Sequence, residues 1–231
     1  VGLCPSDVIV PVVFMPGIMG SRLESNGRVV WDPDDKMLML SLYGRNAGTV
    51  VGPDPFGTRE RDNVRQAAAR RKAMLVGNRF NKDFLKPVEF KRVEGLTPDQ
   101  VARNWSSVSL QSYGPILREM EQGFPTFLTS ALRRSNPRFN LVRMPVYACG
   151  YNWSASNFDS GRAAARHIRT WVDEARRWAA ANNAQCPGAI VVTHSMGGFV
   201  ARAAALMHGA ADDILTVIST VMPTDGAPAA Y

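Results

Sequence analysis

One stretch restricts the fold more than any other. The β-branched apolar run Ala189-Ile-Val-Val-Thr193 meets His194-Ser195-Met196 and passes directly into Gly197-Gly-Phe-Val-Ala-Arg-Ala-Ala-Ala-Leu-Met207, a helix of small residues. A buried strand feeding a helix through so short a turn brings the two elements into close contact, so the residues at the bend must be small. The residue at the apex, Ser195, then stands clear of both. That is the geometry of a nucleophile elbow, whose usual pattern is G-x-S-x-G. Thr193 holds the position of the first glycine, while Gly197 and Gly198 follow the serine. The strand before and the glycines and Ala-rich helix after favour a nucleophile over an ordinary turn serine.

Three more runs read as buried strands: Pro11-Val-Val-Phe-Met15 closed by Pro16-Gly17, Val142–Tyr147, and Ile214–Val221 ending at Met222-Pro223. Before the elbow strand, Ala164, Ile168, Trp171, Val172, Ala175 and Ala179 recur at helical spacing. Asp159 or Ser160 is placed to cap that helix, and Asn182-Asn183 with Pro187-Gly188 to stop it. Strands alternating with helices predict an α/β fold, a mostly parallel sheet with helices on both faces. Residues 32–109 break the rhythm with glycines, prolines and charges, and are too long for a connection. They are expected to form an inserted cap or excursion, with a short helix over Val64–Val76, between core segments 1–31 and 110–231. Helical patches at Tyr113–Gln122 and Thr126–Arg134 precede the second strand run.

A chain of 231 residues with 45% apolar side chains can bury a core without metals or disulfides. No apolar stretch approaches the ~20 residues that span a bilayer. The formal charge is +7, and 12 basic against 7 acidic residues between Asp54 and Arg103 supply +5 of it. Such a segment can attract nucleic acid or an anionic surface. No zinc-finger spacing or aromatic RNA-binding signature accompanies it, so a solvated basic surface is expected and no nucleic-acid partner. Cys4, Cys149 and Cys186 are too scattered for a metal cluster, and His167, His194 and His208 form no H-E-x-x-H pair. Neither a metal nor a cofactor is expected.

A serine attacks an ester only when a base takes its proton and preorganised donors receive the oxyanion. One donor is expected to be the backbone N–H of Met196, directly after the serine. The other is that of Ile18 in Pro16-Gly-Ile-Met-Gly-Ser21, where two glycines let the loop turn its N–H groups toward the site.

In order and approximate spacing, Pro11–Glu24, Tyr151-Asn-Trp153, Thr193-His-Ser-Met-Gly-Gly198 and Gly226-Ala-Pro228 resemble the lecithin:cholesterol acyltransferase-like lipases. These are α/β-hydrolases that share features with GPI-inositol deacylases, and some bacterial lipases delivered as antibacterial toxins look similar. The resemblance covers most of the chain and is weakest over 54–103. It implies attack on a lipid ester or phospholipid through an acyl-serine intermediate, transfer to water or another alcohol, and peripheral membrane contact. Asn152 stands where that family has Asp. The family also places an acid and then a histidine on later strands. Here only His208 follows Ser195, at the far end of the elbow helix; His194 leaves the elbow on another side and His167 sits on a surface helix. Asp225, after the strand at 214–221, is the candidate acid, or else a turn-former. The expectation is an incomplete domain whose base lies beyond Tyr231 or on a second chain.

Two rival readings stand beside the lipase. One is a catalytically incomplete fragment that binds lipid or protein; the other is a basic binder of nucleic acid or anionic surfaces. Cys4 and Cys186 would each precede neighbouring strands, and a bridge between them would favour a secreted or exported protein. The apolar run Met37–Tyr43 is expected to pack inside.

Overall fold

The described part of the computed structural model covers residues 7–40, 85–135 and 141–226 and holds ten strands, four helices, a helical turn over 36–40 and two short 3-10 turns. The strands are β1 (Asp7–Ile9), β2 (Val12–Met15), β3 (Leu23–Ser25), β4 (Arg28–Trp31), β5 (Lys86–Pro87), β6 (Leu141–Arg143), β7 (Val146–Ala148), β8 (Ala184–Gln185), β9 (Ala189–His194) and β10 (Ile214–Thr220). The helices are α1 (Pro98–Ala102), α2 (Leu110–Ser135), α3 (Asn157–Ala181) and α4 (Gly197–Met207).

Four parallel strands pair in the order β10-β9-β2-β7, and three more in the order β6-β1-β8. The second set continues the first. Val12 N–H bonds Pro145 C=O and Ile190 N–H bonds Pro11 C=O, both at 2.9 Å, across the gap between them. Proline brings no N–H to a ladder, and Pro11, Pro145 and Pro187 interrupt three neighbouring strands at one level. The single strand expected over Val142–Tyr147 is therefore two, split at Met144-Pro145.

From β2 the chain crosses through α2 to β7; from β7 it returns through α3 to β9 and continues through α4 to β10. The loops leaving β2 and β9 diverge, so the carboxyl ends of these adjacent strands bound a crevice at the topological switch point. Val13, Met15, Ala189 and Val191 pack with Ala164, Ile168, Trp171, Val200, Ala201 and Ala204 of α3 and α4. On the other face Val12, Phe14, Val146 and Ala148 meet Leu117 of α2, with Trp105 and Val108. This is the α/β-hydrolase fold.

Several details differ from the periodicity. The cap of α3 is Ser156, whose Oγ accepts from Phe158 N–H at 3.1 Å, rather than Asp159 or Ser160. The two patches expected at 113–122 and 126–134 are one helix that runs through Pro115 and Pro125. Leu117, Met120 and Leu128 anchor α2 to the sheet on both sides of Pro125, which outweighs the backbone bond that proline removes. Met37 and Leu40 are exposed (76% and 64%) rather than packed inside, because the helical turn over 36–40 points Met39 at the core and leaves its other face in solvent. Trp105 and Val108 lie within 32–109 yet are fully buried, and Trp105 Nε1–H donates to Val146 C=O at 2.8 Å. Beside the main sheet, β3 pairs antiparallel with β4 and β5. Cys186 is a free thiol. Cys4, the helix expected at 64–76 and most of the basic segment lie outside the described residues.

Candidate active site

β9 ends at His194 and α4 starts at Gly197, which leaves two residues for the turn. Ser195 adopts φ 51, the left-handed region, at a cost of about 1–2 kcal/mol for a residue with a Cβ. The surroundings hold it there: Ser195 N–H bonds Thr220 C=O at 2.9 Å, and its own C=O accepts from Gly198 N–H at 3.1 Å. The glycines are there for contact. A Cβ on Gly197 would lie 2.6 Å from Pro16 O and 2.7 Å from Met15 O, and one on Gly198 would run into the Met222 side chain. Thr193 fits the first-glycine position by facing α3 and α4, fully buried, with a hydroxyl that finds no partner among the described residues.

The facing loop is fastened at almost every carbonyl. Pro16 C=O accepts from Tyr151 Oη at 2.9 Å, Gly17 C=O from Gly20 N–H at 3.1 Å, and Met19 C=O from Trp31 Nε1–H at 2.9 Å. Gly20 C=O accepts from Ser109 N–H at 2.9 Å and Ser21 C=O from Trp153 Nε1–H at 3.3 Å. The Tyr151-Asn-Trp153 motif is thus a clamp on this loop, completed by Tyr151 N–H on Ser21 Oγ at 3.0 Å and the edge-on Trp31–Trp153 ring pair. Asn152 has a reason of its own: its Nδ2–H donates to Leu85 C=O at 3.0 Å, which an ionised carboxylate could not do. Against this held backbone, the N–H groups of Ile18 and Met19 have no partner among the described residues.

Loop and elbow touch. A Cβ on Gly17 would sit 2.8 Å from His194 Nδ1 and 3.2 Å from Ser195 Cβ; one on Gly20 would sit 2.8 Å from the Tyr113 ring. Gly17, next to Ile18, therefore lies against His194 and Ser195 at the switch-point crevice, with Met196 at the amino end of α4, where backbone N–H groups and the helix dipole favour negative charge. Asp225 is not brought to them by any bond of its carboxylate among the described residues. It lies exposed in a turn closed by Gly226 N–H on Pro223 C=O at 3.1 Å. None of the three histidines hydrogen-bonds the Ser195 hydroxyl. His208 Nε2–H donates to Phe158 C=O at 2.8 Å beyond the far end of α4, and His167 pairs with Glu89 at 2.9 Å while stacking on Trp171. His194 Nδ1 lies 3.2 Å from Tyr113 Oη.

Tyr113 is the site residue that the sequence did not disclose. Its hydroxyl accepts from Gly17 N–H at 3.1 Å, and its ring packs on Phe14 at 4.9 Å between centroids. Burial pushes its pKa up, with the Gly17 bond opposing. The first turn of α2 that carries it is fixed by Asp34, which accepts from Ser109 Oγ and Leu110 N–H at 2.6 Å each and pairs with the buried Arg22 guanidinium at 2.5 Å. Among the described residues no group of three or more His, Cys, Asp or Glu could hold a metal, and no helix is long and apolar enough to cross a membrane.

Residues 100–231 match the family model described as PGAP1-like alpha/beta domain. Among solved structures, the crystal structure of the Tle4–Tli4 complex is similar with a TM-score of 0.62 at 22% identity, over 96% of this chain and 47% of that one. This chain therefore spans about half the length of that structure's chain. No curated protein matches it.

Proposed function

The chain belongs to the PGAP1-like alpha/beta domain family, a lipase-like α/β-hydrolase family, and from that premise we propose that it is a serine hydrolase of lipid esters, a lipase or phospholipase. Ser195 is the nucleophile, and the N–H groups of Met196 and Ile18 are the oxyanion donors. The observation that carries this reading is the strained Ser195, φ 51, lying against a loop whose carbonyls are fastened while the Ile18 N–H is left to donate. Backbone held this way needs no reorganisation when negative charge develops on the substrate oxygen. The hydroxyl oxygen bonds the ester carbon, the alcohol departs with a proton, and water or a second alcohol releases the acyl group. The base is the one role that no described histidine fills as placed.

Lipid as the substrate class draws support from the motif likeness to the lecithin:cholesterol acyltransferase-like lipases, as does acyl transfer to an alcohol. Exposed Ile18 and Met19 on the oxyanion loop agree with an apolar substrate or membrane periphery there. Residues 32–109 are proposed as the excursion of this hydrolase, with their last residues threaded into its core. The likeness to the Tle4–Tli4 complex is one of fold, and a toxin role or a protein partner draws nothing more from it.

A fluorophosphonate probe tests the mechanism. The wild-type chain is expected to label at Ser195, and Ser195→Ala to lose the label. Label that persists in Ser195→Ala overturns the assignment. A folded wild type that never labels favours the rival, a domain that binds lipid without turning it over.

A further inference from the structure

We propose that Tyr113 is a positioning residue of this hydrolase, its hydroxyl bracketing the oxyanion loop to the nucleophile elbow through Gly17 and His194. The inference rests on the Ser195 reading and deepens it. A phenol has one proton to give and lone pairs to receive. Gly17 N–H takes one lone pair at 3.1 Å, and in the proposed bracket the Tyr113 proton points to His194 Nδ1 at 3.2 Å. That arrangement requires a bare Nδ1, with the proton of the neutral imidazole on Nε2.

Three consequences follow for the reaction. Gly17 N–H is withdrawn from the pocket, which leaves the N–H groups of Ile18 and Met19 as the loop's available donors among the described residues. The separation of loop and elbow is set by a chain of two hydrogen bonds, because His194 immediately precedes Ser195 and Gly17 immediately precedes Ile18. The bracket is itself rigid: Phe14 backs the Tyr113 ring, and the two glycines of the loop are what let the Tyr113 and His194 rings in, since a Cβ at Gly20 or Gly17 would lie 2.8 Å from them. The sequence pattern Gly-Ile-Met-Gly is thus matched to a tyrosine that enters from another element.

Tyr113→Phe keeps the ring and its packing and removes only the oxygen. Fluorophosphonate labelling at Ser195 is expected to slow by about tenfold or more, as a displaced reacting geometry does. With a p-nitrophenyl ester, kcat should fall and KM change little. His194→Leu should show the same loss, the Tyr113→Phe/His194→Leu double variant no more than either alone, and His194→Asn, whose Oδ1 can stand in for Nδ1, should recover most of it. Nitrogen NMR of the imidazole should show Nδ1 as the unprotonated, hydrogen-bonded atom in the wild type and lose that signature in Tyr113→Phe. A wild-type labelling rate in Tyr113→Phe, or a protonated Nδ1 in the neutral wild type, overturns the proposal. A wild type with the imidazole signature that never labels overturns the serine reading instead, so the two failures are told apart.

Discussion

The adjacent glycines of the elbow helix should respond differently to the same substitution. Both lie in α4 with ordinary helical φ, so alanine at either gains about 1 kcal/mol of helix propensity. What the new methyl meets differs. At 197 it would stand 2.6 and 2.7 Å from the backbone oxygens of Pro16 and Met15, against an ordinary carbon–oxygen approach of about 3.3 Å. Roughly 0.6 Å of separation must open between the glycine loop and the helix, and the carbonyls are those of the last residue of β2 and of Pro16, which the Tyr151 hydroxyl holds, so they cannot rotate away. Overpacking of this kind costs about 1–3 kcal/mol or more. Gly197→Ala should therefore be destabilised by up to about 2 kcal/mol net of propensity, a fall in Tm of up to roughly 8 °C at this chain length. Labelling should suffer more than stability, since ~1 Å of misplacement can cost about a hundredfold in rate. At 198 the methyl meets the Met222 side chain, which can swing aside, so Gly198→Ala should lie within about 1 kcal/mol of wild type. Urea unfolding and fluorophosphonate rates on both variants decide the matter. Wild-type stability and labelling in Gly197→Ala, or a greater loss in Gly198→Ala, would refute the claim that the loop rests on the helix at this point.

Three further outcomes can be measured. Thr193→Val removes a buried hydroxyl that has no partner among the described residues while keeping the branched shape, and should raise stability by about 1 kcal/mol in urea unfolding; a loss would mean the hydroxyl is satisfied. Tyr151→Phe leaves the buried Pro16 carbonyl without its donor and should cost about 1–3 kcal/mol, with slower labelling as the loop loosens; equal rates would detach the clamp from the reaction. Burial pushes the Cys149 thiol from 9.0 to about 12. Its contribution is whole below pH 9, where both states hold the proton, and drains away as pH climbs from 9 toward 12 and the unfolded thiol alone ionises. Thermal unfolding from pH 8 to 10 should show a shallower decline in Cys149→Ala, and identical slopes would contradict the assignment.

The elbow was legible because everything that makes it is contiguous: β9, Ser195 and α4 occupy 19 consecutive residues, and α4 begins and ends where the small-residue run does. The glycine loop after β2 was legible for the same reason. Prolines marked the limits of this local reading in both directions. Met144-Pro145 broke a run that looked continuous, because the ladder cannot use a residue without an N–H. Pro125 failed to break a helix, because apolar anchors on either side held it to the sheet. Tyr113 gave no local sign. It joins Gly17 from 96 positions away, and a tyrosine on an amphipathic helix looks the same whether or not a glycine loop waits above it. Trp105 was hidden inside a charged, glycine-rich stretch, and only its burial against β7 separates it from that surrounding.

The row of prolines across the sheet bears on how the molecule breathes. Pro11, Pro145 and Pro187 crease three adjacent strands along one line, with β6-β1-β8 on one side and β10-β9-β2-β7 on the other. Few ladder bonds cross a crease, so opening on the amino-terminal side need not propagate to the other. Amide protons of Asp7–Ile9 and Leu141–Arg143 would then exchange with solvent at lower opening energies than those of Val12–Met15 and Val191–His194. The strands that lead into Ser195 and into the glycine loop at 16–21 sit on the slow side of that line, insulated from fraying at β1 and β6.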